Sequence, residues 1–595
     1  MGTKVTTTDD AIPYSQFACI GAGFSAIGLG AQLQRWYGIT DIRFFDRYSD
    51  LGGTWLVNRY PGCACDVPSA LYSFSFEQNA NWTRVLATAD EIWAYQRAVA
   101  DKYDLVRRMT FNASVERCEW IEATSRWRLH VRDTATNTVF LHECQFLLPA
   151  TGYFSAPRDL DVPGASTFQG SVVHSARWPA GGVDLTGKRV VLFGNGCTGA
   201  QIVPAILHET KHLTQIVRSK HWIMPPVDSQ ITAPVRFLLN YVPGAAALQR
   251  FVIYCVVENG FRAFGMTKRA ARFRKGVKDI SETYMRTAAP AKYHDMLIPD
   301  FEIGCKRRIY DSTLPGYLPS LHADNMTLTD EAVAEIVPGG VRMASGDVVE
   351  ADVIILANGF KTNNYLGGVE VIGRNGETLQ QHWDAMGGPA AYNCTALSGF
   401  PNLFMLTGPN TATGHTSVLL AAENTINYAL RIIKPVLEGK ARTATVDHAA
   451  EEGYVRCVQG ALRQTVWFTG CQSWYLKRDV SADGRTTRVW NGTSYPYSQQ
   501  AFWYQSLFPV WRDWTFGGER TTSTIVKRSS GVSRLLAGLL VGALGLLLLS
   551  GWINPRSALA VTIASSSSAL RNWVQEHVSR AIQVVYSAGL KLKVN

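Results

Sequence analysis

Gly21-Ala22-Gly23-Phe24-Ser25-Ala26 follows a short apolar stretch, Gln16 to Ile20, and opens a predicted helix. Glycines at such a turn let the backbone bend sharply and approach a pyrophosphate without a side chain in the way. Unpaired N–H groups at the start of the helix then bind the phosphates. Ala26 occupies the third glycine position of the pattern, where a small residue allows close helix packing. The stretch predicts a dinucleotide-binding unit with Gly21, Gly23 and Ala26 at the cofactor.

A second turn of this kind, Gly194-Asn195-Gly196-Cys197-Thr198-Gly199, follows the apolar strand Arg189 to Phe193. One such turn alone is equally compatible with an ordinary corner between a strand and a helix. Two turns in one chain, each with its own strand and helix, favour two dinucleotides held face to face. This arrangement predicts electron transfer between two cofactors, with Gly194, Gly196 and Gly199 at the second one.

The residue that follows the next strand distinguishes the two cofactors. Asp46 ends the first of these strands, and its carboxylate would accept hydrogen bonds from ribose hydroxyls and repel a 2'-phosphate. Arg218 ends the second, where a cation would attract that phosphate. The first site is therefore predicted to hold FAD and the second NADPH. Arg47, next to Asp46, leaves open whether the first site also accepts a 2'-phosphate.

Size and composition indicate a folded protein of two or three domains. The chain has 595 residues, of which 46% are hydrophobic and 18% charged, and its net charge is +10. The basic residues are scattered except between Lys268 and Lys278, where a solvated helix face explains them. Anionic NADPH and anionic lipid explain the positive charge better than DNA does, so no nucleic-acid partner is expected.

The cysteines predict neither a metal site nor a disulfide framework. There are 11 at irregular spacing, without a Cys-x-x-Cys pair or a zinc-type Cys/His cluster. We therefore expect reduced cysteines of a cytosolic protein that serve mostly in packing. Cys63 and Cys65, the one close pair, are interpreted as part of a turn against the first cofactor, because a disulfide between them would close a strained ring.

The carboxyl-terminal region predicts a membrane anchor. Residues 535–553 form an uncharged apolar stretch that would span about 28 Å as a helix, close to the thickness of a bilayer core. A linker, 521–534, precedes it, and the tail, 554–595, contains an amphipathic helix that would lie on a membrane surface. Because NADPH is cytosolic, the catalytic part of this single-pass protein is expected to face the cytosol.

Two longer stretches narrow the chemistry. Gly52-Gly53-Thr54-Trp55-Leu56-Val57-Asn58-Arg59-Tyr60-Pro61-Gly62-Cys63-Ala64-Cys65-Asp66 follows the first unit, and Phe168-Gln169-Gly170-Ser171-Val172-Val173-His174-Ser175-Ala176-Arg177-Trp178-Pro179 precedes the second. Together they resemble the two fingerprints of the type I Baeyer–Villiger monooxygenases, within the class B flavin monooxygenases. The resemblance covers roughly residues 14 to 520 and does not extend to the anchor. It implies an NADPH- and O2-dependent FAD enzyme that converts a ketone to an ester or lactone.

The same resemblance implies a catalytic pair. Gly304-Cys305-Lys306-Arg307 looks like the catalytic-arginine loop of the family. Oxygen would add to the reduced flavin, and the adduct must stay ionised to attack a carbonyl carbon. Arg307 would stabilise that negative charge, because a guanidinium stays charged in a dry pocket. Asp66 would orient Arg307 through a bidentate pair. The alternatives for these residues are a solvated basic loop for Arg307 and a turn cap for Asp66.

Further positions are carried over from the family as cofactor contacts. Arg218 and Lys306 would hold the 2'-phosphate of NADPH, with Ser219 adding a hydroxyl donor. Thr198 and Gln201 would also contact the nicotinamide nucleotide. The positions implied to contact FAD are Gly53, Thr54, Trp55, Asp66, Val67 and Tyr72.

The predicted fold class is α/β, with two Rossmann-like dinucleotide-binding domains, a helical insertion and a carboxyl-terminal transmembrane helix. The FAD domain is discontinuous, comprising 1–155 and 390–520, and the NADP domain comprises 156–390 with a helical insertion at about 228–300. The insertion is expected to cover the active site. Its apolar residues would suit a bulky hydrophobic ketone such as a secondary-metabolite intermediate, although helix packing explains them equally well: Phe237, Leu239, Tyr241, Phe251, Tyr254 and Phe264.

Three other functions remain open at this point. An N- or S-oxygenating flavin monooxygenase would share the cofactors but use a protonated oxygen adduct. A flavoprotein reductase would pass electrons to a partner without oxygen insertion. A membrane-tethered NADPH sensor would bind the nucleotide without turnover.

Overall fold

The chain contains both strands and helices from its first described residues to its last. A computed structural model describes residues 11–312, 316–362, 364–481 and 486–522. The strands are β1 (Tyr14–Ile20), β2 (Ile42–Phe45), β3 (Met109–Thr110), β4 (Ala113–Ile121), β5 (Arg126–Asp133), β6 (Val139–Pro149), β7 (Ser171–His174), β8 (Arg189–Phe193), β9 (His212–Ile216), β10 (Ile223–Met224), β11 (Ile309–Tyr310), β12 (Met326–Thr329), β13 (Val333–Val337), β14 (Gly340–Met343), β15 (Val348–Glu350), β16 (Val353–Leu356), β17 (Glu370–Ile372), β18 (Thr443–Val446), β19 (Lys477–Val480), β20 (Thr486–Trp490) and β21 (Trp514–Gly517). The α-helices are α1 (Phe24–Tyr37), α2 (Thr54–Val57), α3 (Ala89–Lys102), α4 (Cys197–Ile206), α5 (Ala233–Tyr241), α6 (Ala245–Glu258), α7 (Lys268–Ala288), α8 (His294–Leu297), α9 (Tyr317–Ser320), α10 (Leu379–Met386), α11 (Val418–Leu437), α12 (His448–Leu462) and α13 (Gln499–Leu507).

The first sheet contains the first predicted unit. Its strand order is β17-β4-β5-β6-β1-β2-β3, and β1 lies between the parallel strands β2 and β6. Every residue of β1 after Tyr14 is buried, as expected for a parallel strand covered on both faces. Gly21 then turns the chain at φ +112°, and a Cβ there would lie 2.8 Å from the carbonyl oxygen of Ala150. Only glycine fits this turn, because it accepts both the positive φ and the close approach.

The second sheet repeats the arrangement. All its strands are parallel, in the order β12-β9-β8-β16-β7, and β8 leads through Gly194 into α4. Gly194 has φ +108°, and its Cβ would lie 2.5 Å from the carbonyl oxygen of Ala357. The antiparallel strands β13, β14 and β15 form a separate small sheet. The predicted α/β class with two Rossmann-like units is thus confirmed.

The chain returns to the first sheet after the second unit. Strand β17 pairs in parallel with β4, so the return occurs before residue 390, the expected boundary. Helix α11 packs against α1, where the Tyr37 hydroxyl donates to the carbonyl oxygen of Leu430 at 2.7 Å. The amide of Phe404 donates to the carbonyl oxygen of Leu147 at 3.0 Å. The first unit therefore consists of sequence from both sides of the second.

Helices α5 to α8 lie between β10 and β11 in the sequence. The basic run on α7 is mostly exposed, as the solvated-face interpretation predicts. Arg274 is the exception, because it is 3% exposed and donates from Nε to Glu302 Oε2 at 2.5 Å. Its Nη1 group also donates to the carbonyl oxygens of Ala263 and Gly265.

The predicted membrane span, 535–553, and the tail, 554–595, lie outside the described residues, as does the linker from residue 523. Within the ranges that the structure describes, no helix combines the length and apolar character needed to cross a bilayer.

Candidate active site

A cavity of about 1480 Å³ lies between the two Rossmann-like units. Both glycine-rich turns open into it. Much of the rest of its wall comes from the segments 52–67, 150–162, 216–221, 306–307, 357–362, 407–422 and 472–476. A space bounded by two strand–turn–helix corners matches what two facing dinucleotides require.

Asp46 is held rigidly at the end of β2. It is 7% exposed, and its carboxylate accepts hydrogen bonds from the amides of Ala22 at 2.7 Å and Tyr48 at 2.9 Å. Burial raises the pKa of Asp46, and the two amide hydrogen bonds oppose that rise. Arg47 donates to the carbonyl oxygen of Ser155 and lies over the ring of Tyr48. The carboxylate of Asp46 is thus fixed at the cavity wall next to the first glycine turn.

The first fingerprint segment forms one side of the cavity. Gly53, with φ +53°, brings its backbone against Gly23, so the segment touches the first glycine turn directly. Trp55 donates from its indole nitrogen to the Tyr72 hydroxyl at 3.1 Å. The residues of this side that line the cavity include Gly53, Thr54, Trp55, Asp66, Val67 and Tyr72, all of which were singled out in the sequence.

The start of α4 faces the cavity on the opposite side. Its N-cap, Gly196, provides no capping side chain, and a Cβ there would meet no atom within 4 Å. Thr198 and Gln201 follow on the same helix and line the cavity. Gln201 accepts from the Tyr60 hydroxyl at 2.8 Å and donates to the carbonyl oxygen of Ala64 at 2.9 Å. Gln201 therefore ties the second unit to the first fingerprint segment.

Basic side chains gather beyond the second glycine turn. Arg218, Ser219 and Lys306 line the cavity here, as does Arg158, which sequence reasoning missed. Lys306 is 8% exposed, and burial together with the charge of Arg218 lowers its pKa to about 8. Burial and the same Arg218 charge also lower the pKa of Arg158. Lys306 and Arg158, whose charged forms are disfavoured by burial and by the Arg218 charge, mark a place suited to a polyanion such as a 2'-phosphate.

Arg307 and Asp66 form the predicted pair. The guanidinium donates from Nε to Asp66 Oδ2 at 2.5 Å and from Nη2 to Asp66 Oδ1 at 2.7 Å. Burial opposes ionisation of both groups, but their mutual attraction outweighs it, so the pKa of Asp66 is lowered and that of Arg307 is raised. The side chains are 28% and 24% exposed, and both line the cavity. The solvated-loop and turn-cap alternatives do not fit this bidentate contact.

Two predicted positions do not line the cavity. Ala26 is fully buried within α1, and a Cβ on Gly199 would lie 2.4 Å from the carbonyl oxygen of Gly194. Ala26 and Gly199 both allow the helix to pack closely against the turn, because the third position of each glycine pattern faces the protein interior.

The aromatic residues expected to shape the substrate pocket are also elsewhere. None of the six apolar residues named in the insertion lines the cavity; Phe237 and Tyr241 are 64% and 72% exposed, whereas Phe264 is buried. The wall near Arg307 comes instead from the segment 472–476, with Trp474, Tyr475 and Leu476. This segment carries no recognisable motif and lies far from Arg307 in sequence, so sequence reasoning did not identify it.

The expectation of reduced cysteines fails at one pair. Cys305 and Cys471 form a disulfide with their Cα atoms 6.3 Å apart, although 166 residues separate them. The other nine cysteines are free, including Cys63 and Cys65, which are buried beside the cavity as predicted. The pair was missed because nothing in the spacing of the cysteines indicates which two the fold brings together.

Comparison with known proteins gives concordant results. The family model described as flavin-binding monooxygenase-like matches residues 17–240. A Baeyer–Villiger monooxygenase of Streptomyces coelicolor is 37% identical over 488 residues, which cover 81% of this chain and 90% of that protein. A Baeyer–Villiger monooxygenase of Pseudomonas aeruginosa is 34% identical, with coverage of 82% and 90%. The crystal structure of OTEMO in complex with FAD and NADP shares the fold, with a TM-score of 0.72, 24% identity and coverage of 83% and 97%.

Proposed function

The chain belongs to the flavin-binding monooxygenase-like family, and from this we propose that it is an NADPH- and O2-dependent Baeyer–Villiger monooxygenase that inserts oxygen next to the carbonyl of a hydrophobic ketone. Its cofactors are FAD and NADPH. The observation that carries the proposal is the Asp66–Arg307 pair, which lies in the wall of the cavity that both glycine turns share.

Arg307 supplies the fixed positive charge that this reaction needs. When bound, NADPH provides a hydride and FAD provides the flavin that activates oxygen. Arg307 stabilises negative charge that develops on the carbonyl oxygen of the ketone as its carbon becomes tetrahedral. Asp66 binds Nε and Nη2 and holds the guanidinium plane in one orientation. The charge of Arg307 persists because Asp66 raises its pKa further.

The cation group beyond the second turn gives the preference for NADPH. We assign the 2'-phosphate to Arg218, Lys306 and Ser219, and the remainder of the nucleotide to Gly194, Gly196, Thr198 and Gln201. What supports this is the open space at Gly196 and the buried position of Lys306 next to Arg218.

The FAD assignment rests on the opposite wall. We assign the ribose to Asp46, the pyrophosphate to the turn at Gly21 and Gly23, and the flavin end to Gly53, Thr54, Trp55, Asp66, Val67 and Tyr72. The support is that these residues form a continuous surface from the end of β2 to Arg307. We also propose that the FAD domain is discontinuous, with one part before the NADP domain in the sequence and one part after it.

The direct test is variation of Arg307. We expect Arg307→Ala to keep its bound FAD and its reduction by NADPH, while ester formation falls by about 10²–10³-fold, the usual effect of losing one charge-stabilising donor. Stopped-flow absorbance measures flavin reduction, and mass spectrometry with ¹⁸O2 and a panel of cyclic and long-chain ketones measures ester.

Arg307→Lys is the matched control, because it keeps the positive charge but loses the planar pair of donors. It should form little more ester than Arg307→Ala. Unchanged ester formation in Arg307→Ala contradicts the proposal. Oxygenated amine or sulfide in place of ester identifies the N- or S-oxygenating alternative, and NADPH oxidation without ¹⁸O in any product identifies a reductase.

Attachment to a membrane is a further part of the proposal. Residues 535–553 supply an uncharged apolar stretch long enough to span a bilayer, and Lys527, Arg528 and Arg534 precede it. We propose that this segment anchors the enzyme with its catalytic part in the cytosol, where NADPH is available. A hydrophobic ketone dissolved in the same membrane would then reach the enzyme by lateral diffusion.

A further inference from the structure

The Cys305–Cys471 disulfide joins two segments of the active-site wall. Cys305 is fully buried and Cys471 is 7% exposed. Cys305 directly precedes Lys306 and Arg307, and Cys471 directly precedes the wall segment 472–476. The cross-link therefore connects the loop that carries Arg307 to the aromatic wall opposite Asp66.

Tyr475 brings the second segment against Arg307. It is 2% exposed, and its ring lies 4.1 Å from that of Trp474 and 5.9 Å from that of Trp467. Burial raises the pKa of Tyr475, and the charge and hydrogen bonding of Arg307 oppose that rise. Arg307 thus contacts Asp66 from the first fingerprint segment and Tyr475 from the cross-linked segment.

Neither joined segment has regular secondary structure that would fix its position. Residues 299–308 precede β11 as turns and bends, and 469–476 precede β19 in the same way. Gly304 has φ +97°, a turn conformation, and a Cβ there would lie 3.4 Å from Val466 and 3.6 Å from Phe264. The hydrogen bonds of the second segment include a short-range one from the Leu476 amide to the Ser473 carbonyl oxygen and a long-range one from the Thr362 hydroxyl to the Trp474 carbonyl oxygen. A covalent bond between such segments restricts their relative motion more than these contacts do.

We propose that the Cys305–Cys471 disulfide is a positioning cross-link that holds Arg307 between Asp66 and Tyr475. The consequence for turnover rests on the proposed function. A dithiol breaks the S–S bond by giving two electrons and two protons: two cysteine thiols form, and the dithiol becomes a disulfide. The freed loop then lets Arg307 leave its productive position, so that NADPH oxidation continues while less ketone is oxidised per NADPH.

Mass spectrometry of the holoenzyme tests the bond itself. The native protein is denatured in an alkylating agent without reductant and digested. We expect one peptide pair joined through Cys305 and Cys471, with alkylation at free cysteines such as Cys457, which is exposed. Alkylation of both Cys305 and Cys471 under these conditions overturns the proposal.

Coupling measurements test the positioning role. We expect the ester formed per NADPH oxidised to fall at least threefold in a Cys305→Ser/Cys471→Ser variant and in wild-type holoenzyme treated with dithiothreitol. Reoxidation should restore the wild type but not the variant. Cys457→Ser, on the exposed face of α12, is the matched control and should keep full coupling. Equal coupling in the double variant and the control contradicts the proposal. If the double variant does not retain FAD, the coupling of the dithiothreitol-treated wild type is compared with the control instead.

Hydrogen exchange separates this proposal from the proposed function. Reduction should speed amide exchange in 303–308 and 472–476 at least threefold, whatever reaction the enzyme catalyses, and should leave β1 and α1 unchanged. Faster exchange without any ketone oxidation in the wild type means that the cross-link positions Arg307 and that the proposed reaction is wrong. Unchanged exchange in both segments means that the cross-link has no positioning role.

Discussion

Lys306 sits in a nearly dry position next to Arg218, and burial together with that neighbouring charge lowers the pKa of its ammonium group to about 8. Below this pH the group is charged and binds the 2'-phosphate, and above it the neutral amine binds the phosphate weakly. We expect the KM for NADPH to rise about tenfold between pH 7 and pH 9, because a hydrogen bond to a charged group contributes about 1.5–3 kcal/mol.

Two controls isolate Lys306 in this pH experiment. NADH has no 2'-phosphate, so its KM should stay constant over the same range. Lys306→Met should raise the KM for NADPH at pH 7 and remove most of its pH dependence. A wild-type KM for NADPH that is flat from pH 7 to pH 9 contradicts the assignment of Lys306 to the phosphate.

At the scale of single elements, the two glycine turns make different demands on their glycines. Gly21 has φ +112° and no room for a Cβ, whereas Gly196 has φ −71° and open space in front of it. We expect Gly21→Ala to lose bound FAD, because the new methyl group pushes the Ala150 carbonyl away. Gly196→Ala should keep FAD and raise the KM for NADPH at least tenfold, since its methyl group takes the space assigned to the pyrophosphate.

Flavin absorbance per chain and steady-state kinetics check this prediction. The prediction is that Gly21→Ala loses FAD, whereas Gly196→Ala keeps FAD and changes only the KM for NADPH. If Gly196→Ala also loses FAD, its defect is in folding rather than in nucleotide access.

Three elements meet at a buried hydrogen-bonded pair, Glu258 and His415. His415 Nε2 lies 2.8 Å from Glu258 Oε2, and Glu258 Oε1 accepts from the amide of Gln500 at 3.1 Å. Both side chains are at most 6% exposed. The contact joins the end of α6 to the segment before α11 and to the first turn of α13. Removing the Glu258 carboxylate leaves Nε2 of His415 and the amide of Gln500 buried without their acceptor.

We expect Glu258→Ala to lower the free energy of unfolding by about 1–3 kcal/mol, the usual penalty for leaving a buried hydrogen-bonding group unsatisfied. Urea unfolding followed by flavin and tryptophan fluorescence measures it. Glu452→Ala is the control, because Glu452 pairs with Arg456 on the exposed side of α12 and should contribute little. Equal effects of the two substitutions contradict a structural role for the Glu258–His415 pair.

The sequence predicted whole elements better than contacts between them. Both strand–turn–helix units follow from local glycine patterns, and the Asp66–Arg307 contact followed from a family resemblance. Tyr475, Arg158 and the partner of Cys305 were not predicted, because each reaches the site only through the packing of distant segments. The prediction that apolar residues of α5 and α6 line the substrate pocket was wrong for the same reason, since an apolar helix face does not reveal which surface covers it.

For the whole molecule, the proposed anchor should affect location and not chemistry. We expect a protein ending at Thr522 to move from the membrane pellet to the supernatant and to keep its kcat with a water-soluble ketone. The strands and helices that the structure describes all precede this point. Fractionation by ultracentrifugation, with detergent extraction of the full chain, measures the distribution.

Leu544→Arg is the matched control for the truncation. A charge at the centre of the apolar stretch costs about 2.5–3.5 kcal/mol in a bilayer. This variant should therefore weaken insertion while retaining the full length of the tail. A full-length wild-type protein that stays in the supernatant contradicts the anchor.

The split first unit also bears on how the enzyme acquires its flavin during synthesis. Helix α1 leaves the ribosome early, yet Leu419 and Ala422 of α11, which line the same cavity, are made about 400 residues later. At about 5–20 residues per second, translation separates these halves by roughly 20–80 s. The nascent amino-terminal half meanwhile exposes the surface that α11 will cover, and the wall of the cavity is complete only near the end of translation.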